Sequence, residues 1–313
     1  MAGRRCTQRP VAVSLLAIAV LCAALLLRAS KQPATTAQPS RGDDAVSAHG
    51  DAVSAPPAHG EQGNRLGHCW NGAAGCWPEL VTNGPKCLPS QSQDSEEALV
   101  TEYFGWHSKN DGFYVELGAL DGVTLSNTLS LHTCNGWSGV LVEGMKKNFG
   151  WLKQNIKLTR PAGVDIHWGA ICAPPTTSVV FTAPPESDNL KGAVQGVVDQ
   201  MSEGFKARWH PDAAHETTID TPCHPMDFYL KGVAHVDFFS LDIEGTELEV
   251  MSTIDFTKVT VEVFMIEFDG LDLVKEWKIR HLLRNVGYHE CKKKTIPRSG
   301  LFVRAAGPYA EKC

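Results

Sequence analysis

Four acidic residues stand at the ends of apolar, strand-like runs: Glu116 in "FYVEL", Glu143 in "GVLVEG", Asp242 in "VDFFSLD" and Glu267 in "VEVFMIEF". A carboxylate at the end of a buried strand is costly unless something pairs with it. In open α/β sheets ligands lie outside the carboxyl ends of the strands. Four acids along that edge therefore describe the rim of a crevice suited to a cation or a hydroxyl-rich molecule. The first of them runs into "ELGALDGV", where Gly118 and Gly122 permit a tight turn and close approach of backbone to a ligand.

Glu143 lies about two dozen residues beyond this turn, where an acid accepts hydrogen bonds from a ribose diol. The full Gly-x-Gly-x-x-Gly of a dinucleotide site is absent, because three residues separate Gly118 from Gly122. A pyrophosphate needs a glycine-flanked helix N-terminus free of anions, and here Asp121 sits within the turn and Glu116 at its base. Two carboxylates repel a pyrophosphate and attract a cation. The ligand that fits carries a ribose, an amine and a positive charge, as S-adenosyl-L-methionine does. A nicotinamide-dependent oxidoreductase fits poorly without the third glycine.

The elements that must position these residues alternate. Strand-like runs at 113–117, 139–142, 164–168, 178–182, 236–242 and 261–268 interleave with helix-like runs at 145–157, 246–254 and 272–286. Such alternation specifies a mostly parallel sheet with helices on its faces. Asp94-Ser-Glu-Glu97 has the form of a helix-start capping box for a helix to about Trp106. At the end, "YHECKKK" and "LFVRA" flank "TIPRSG" and read as an antiparallel pair closing the sheet.

The segments "FYVELGALDGVTLSNTLSL", "GWSGVLVEG", "HVDFFSLDIEGTELEVMSTIDF" and "VEVFMIEF", in this order, resemble the FkbM-type family of S-adenosylmethionine-dependent methyltransferases over roughly 95–305. The resemblance implies a class I methyltransferase (Rossmann-like) α/β fold, a seven-stranded sheet with an antiparallel last strand. It implies that Glu116, Gly118, Asp121 and Gly122 frame the methionine end of the cofactor and that Glu143 holds the ribose. Gly169 and Ala170 of "HWGAI" then lie against the adenine, and Asp242 and Glu244 of "LDIEG" lie beside the methyl donor. The family often has Asn where Asp121 stands, which favours a backbone role at that position.

A hydroxyl acceptor benefits from a carboxylate that takes its proton, so Asp242 or Glu244 is the candidate catalytic base. Thr246-Glu-Leu-Glu249 reads as a capping box, which makes Thr246 and Glu249 helix-start residues. A carboxylate pair can hold a divalent cation, but neither histidines nor further acids stand at a defining spacing, so no metal is expected. Ser126, Asn127 and Thr128 suit helix capping and ligand contact equally. Cys134 and Cys223 suit a disulfide or a buried thiol better than a nucleophile.

The N-terminal region reads differently. Residues 1–10, with Arg4, Arg5 and Arg9, read as a cytoplasmic tail, and 11–27 is an uncharged apolar run spanning roughly 26 Å as a helix. It is expected to cross the lipid bilayer as a single-pass type II signal-anchor, with the catalytic domain in the lumen of the endoplasmic reticulum or Golgi. Secretion after signal-peptide cleavage is the alternative. Residues 28–65 read as a disordered stem, 66–90 as a Cys-rich cap, and 91–313 as the methyltransferase domain. Eight cysteines beyond the anchor permit disulfides, but 105 pairings are possible. A formal net charge of -6 gives no reason to expect nucleic acid. Two functions follow: methyl transfer to a glycan or small hydroxylated acceptor, or a non-catalytic binding protein that keeps the fold.

Overall fold

The computed structural model describes residues 87–183, 190–212 and 216–313, all within one compact unit. Helix α1 (Glu96–Phe104) leads into strand β1 (Phe113–Leu117), followed by α2 (Leu129–Asn135), β2 (Ser138–Glu143), α3 (Lys146–Thr159) and β3 (Val164–Trp168). Then come β4 (Ala170–Ile171), β5 (Ser178–Ala183), α4 (Glu203–Trp209), β6 (Thr217–His224) and the short α5 (Met226–Tyr229). The chain ends with β7 (His235–Leu241), α6 (Glu247–Ser252), β8 (Thr260–Glu267), α7 (Leu273–Asn285), β9 (Tyr288–Glu290) and β10 (Ser299–Arg304).

Seven strands form one sheet in the order β3-β2-β1-β7-β8-β10-β9. The first five are mutually parallel, and β10 runs antiparallel to both its neighbours. This is the arrangement that the resemblance implied. Strand side chains alternate between two cores, as the pleat requires. Val115, Leu117, Val140, Val142, Phe264 and Ile266 pack on one face with α6 and α7 residues such as Val250 and Ile279. Tyr114, Leu141, Val263 and Met265 pack on the other with Val100, Leu131 and Leu152. Burial on both faces explains why these strands read as continuous apolar runs.

The chain from β1 turns to β2 on one side, and β7 later pairs on the other, so the topological switch point lies at β1. The register places Leu117 opposite both Val142 and Leu241, and Leu241 opposite Ile266. One residue further on, Gly118, Glu143, Asp242 and Glu267 therefore form a row across four adjacent strand ends.

Three features depart from the sequence reading. Strand β5 belongs to a separate three-stranded sheet, β4-β6-β5, whose strand β6 the apolar pattern did not reveal. The capping box at α1 does not form: Ser95 sits in left-handed backbone with no side-chain cap. Glu97 instead turns inward and accepts from the Ser130 and Leu131 amides at the start of α2. The expected membrane placement is corrected. Among the described residues no helix is long and apolar enough to cross a membrane. The 11–27 run on which that placement rested lies outside the described residues, as do the tail, the stem and residues 66–86 of the cap.

Disulfides join Cys87 to Cys134, Cys172 to Cys223 and Cys291 to Cys313. The second ties the end of β4 to β6 across 51 residues. Because such a crosslink restricts the unfolded chain, replacing Cys172 and Cys223 together by alanine should cost about 2–4 kcal/mol. The midpoint of urea denaturation measures this, and an unchanged midpoint would contradict it.

Candidate active site

The strand-end row opens onto a cavity of about 370 Å³, within the range of small-molecule sites. Glu116, Gly118, Glu143, Asp242, Glu244 and Glu267 all line it. Gly118 is required where it stands: its φ is +82°, and an added Cβ would lie 1.9 Å from the Asp242 carbonyl oxygen. Gly122 has φ +78° and would bring a Cβ within 2.5 Å of Leu152 Cδ1.

The turn between these glycines is held by acids. Glu116, 3% exposed, accepts from the Asn127 amide at 2.7 Å, from the Ser126 hydroxyl at 3.0 Å and from the Thr128 hydroxyl at 2.5 Å. Behind it the buried Arg160 donates to Tyr114 Oη, Thr128 Oγ1, Ser126 Oγ and the Gly122 carbonyl, and lies 3.8 Å from Glu116. This is the partner that a buried acid needs. Asp121 accepts from the Val123 and Thr124 amides and the Thr124 hydroxyl. Its carboxylate thus closes the turn, and Asp121 does not line the cavity. Ser126 and Thr128 serve Glu116, and the Thr128 side chain caps no helix.

On the next strand Glu143, 5% exposed, accepts from the amides of Leu120 at 2.8 Å and Met145 at 2.7 Å. Burial raises its carboxyl to about 7. Gly169 and Ala170 line the cavity on this side with Phe181, and a Cβ on Gly169 would meet Tyr229 Oη at 2.4 Å.

At the other end of the row, one carboxylate oxygen from each of Asp242, Glu244 and Glu267 lies within 4.8 Å of the other two. The side chains are half-buried and line the cavity. Burial, then the neighbouring Asp242 and Glu244, pushes Glu267 up to about 12, and Glu267 hydrogen-bonds Asp242. Burial raises Asp242, and burial followed by Asp242 raises Glu244 well above its ordinary value. The expected Thr246–Glu249 capping box does not form. Thr246 makes no side-chain cap, Glu249 accepts from the Ala173 amide, and Glu247 pairs with Lys275 at 3.0 Å.

Sequence reasoning did not single out Arg160, nor the approach of Glu267 to Asp242 and Glu244. It also missed a backbone signature. Five non-glycine residues among those described adopt positive φ, and four of them, Leu120 (+52°), Leu125 (+58°), Glu244 (+57°) and Arg298 (+54°), line the cavity. Such strain collects where a site over-determines its backbone.

The strand order and the rim cavity define a class I methyltransferase fold. The methyltransferase FkbM domain family matches residues 116–290, and the chain belongs to that family. Among solved structures, it is similar to the methyltransferase FkbM of Methylobacillus flagellatus KT at 14% identity and TM-score 0.37, covering 72% of this chain and 58% of that one. A second likeness is to the precorrin-6y C5,15-methyltransferase of Geobacter metallireducens GS-15, at 11% identity and TM-score 0.36, covering 71% and 97%. These likenesses are distant, and the class rests on strand order and the family match. Among curated proteins, none matches this chain.

Proposed function

We propose that this chain is an S-adenosylmethionine-dependent O-methyltransferase acting on a small hydroxylated acceptor, glycans included. One observation carries the reading: the acids of four adjacent strand ends line a single cavity in a methyltransferase-family chain. The cavity wall also fits the cofactor's polar groups. Asn127 Oδ1 and Asn148 Oδ1 are buried acceptors with no partner among the described residues, and both residues line the cavity. An amine and ribose hydroxyls supply the donors that such atoms lack.

When bound, S-adenosylmethionine supplies a methyl group on a positively charged sulfonium. Gly118 offers its backbone, and Glu116 a negative charge, to the methionine end. Asp121 and Gly122 hold the turn in shape. Glu143 accepts from the ribose, while Gly169 and Ala170 present a flat wall to the adenine. Asp242 or Glu244 takes the proton of the acceptor hydroxyl.

Calorimetry of the full-length chain with S-adenosylmethionine tests the reading. We expect saturable binding that Glu143→Ala abolishes. Silence from a well-folded protein would favour the non-catalytic alternative. The pH dependence follows from Glu143. With its carboxyl raised to about 7, the proton is held more tightly in the folded protein, and the accepting carboxylate is depleted as pH falls. Affinity should therefore drop about tenfold from pH 8 to pH 6, and Glu143→Gln should flatten the profile. A panel of hydroxylated acceptors with radiolabelled methyl donor then addresses the substrate.

A further inference from the structure

Asp242 and Glu244 leave the end of β7 two residues apart, and Glu267 ends β8 beside them. The three carboxylates converge on one point, each offering an oxygen within 4.8 Å of the others. One cation, Arg298, stands at their edge and offsets part of their charge. Arg298 lies 3.9 Å from Glu267 but 3.0 Å from Asp94, and Lys275 is engaged by Glu247 and the Gly245 carbonyl.

A second observation is independent of the acids. Thr246, four residues beyond Asp242, is 3% exposed and lines the same cavity. Its Oγ1 has no hydrogen-bond partner among the described residues, although the residue stands at the start of α6, where a threonine hydroxyl ordinarily caps. A buried hydroxyl without a protein partner, on a residue of the same cavity wall, calls for a partner that the described chain does not supply.

We propose that Asp242, Glu244 and Glu267, with Thr246 on the same cavity wall, form a binding site for a hard divalent cation, Mg²⁺ or Ca²⁺. An all-oxygen set selects such ions over softer metals. The spacing agrees with their size. Two oxygens on opposite sides of an ion at about 2.1–2.4 Å are about 4.2–4.8 Å apart, and neighbouring ligands are closer. The chain contributes two adjacent strand ends and a helix start, and the cavity leaves room for waters and for an acceptor oxygen. Binding stands on this geometry alone. Its use in catalysis, holding the acceptor hydroxyl and easing loss of its proton, rests on the methyl-transfer reading above.

The test uses the metal-stripped full-length protein without S-adenosylmethionine. Mn²⁺ uptake is followed by electron paramagnetic resonance, and Mg²⁺ and Ca²⁺ by calorimetry. The expected result is one saturable equivalent, at least tenfold weaker in Glu267→Gln and several-fold weaker in Thr246→Val. Should Glu267→Gln fail to fold, Glu244→Gln and Thr246→Val carry the comparison. No saturable binding by the parent protein, or binding equally tight in the variants, would overturn the site. Cofactor binding without metal uptake sinks this inference and leaves the function. Metal uptake without cofactor binding does the reverse.

Discussion

Gly118→Ala is expected to abolish binding of the methyl donor and to destabilise the fold by about 2–5 kcal/mol. Left-handed backbone costs an alanine about 1–2 kcal/mol more than a glycine, and φ at Gly118 is +82°. The steric term is larger. The new methyl would stand 1.9 Å from the Asp242 carbonyl oxygen and 3.1 Å from its carbon. That obstacle is main chain, so β1 and β7 must part, adding about 1–3 kcal/mol of overpacking. Parting them also disturbs the Gly118 and Ala119 amides, which both donate to the Val142 carbonyl, and so breaks the row of rim residues. Gly122→Ala is the comparison: it shares the left-handed penalty at φ +78°, but its methyl meets a side-chain end, Leu152 Cδ1 at 2.5 Å, in place of main chain. Urea denaturation and calorimetric titration of both variants decide the matter. Retained donor affinity in Gly118→Ala would show that the row is not the binding element.

Arg160→Met should cost about 3–5 kcal/mol, the penalty for leaving a buried charge without its partner. Glu116 would keep its hydrogen bonds from Ser126, Asn127 and Thr128 but lose the cation 3.8 Å away. Four hydrogen bonds from the guanidinium, to Tyr114, Thr128, Ser126 and Gly122, disappear with it. If the charge is the main term, Glu116→Gln in the Arg160→Met background should recover part of the loss. A double-mutant cycle in urea measures that coupling. A single-variant cost below about 1 kcal/mol would mean the guanidinium is not what stabilises Glu116.

Much of the fold was legible because the central strands are buried on both faces. "FYVEL" and "VEVFMIEF" read as strands for the reason that they pack two cores, and their acids could be placed at strand ends by counting. Strand β6 was not legible: "TTIDTPCH" is polar, and Pro222 argues against a sheet interior. Both capping boxes misled because tertiary partners displaced local ones. Glu97 found the amides of α2, and Glu249 the amide of Ala173. Arg160 precedes Pro161 at the end of α3, where an arginine reads as an ordinary C-terminal cation. Its burial against Glu116 depends on a fold-level approach across 44 residues that no periodicity encodes. The convergence of Glu267 on Asp242 likewise depends on the pairing of β7 with β8 and on no motif.

The left-handed residues around the cavity carry a further consequence. Leu120, Leu125, Glu244 and Arg298 each hold a conformation that a free peptide of the same composition would abandon. Laboratory selection for heat resistance should therefore drift toward glycine or asparagine at these four positions. Such variants would survive warmer baths while their crevice lost its fixed shape, and catalytic competence would decline as durability rose.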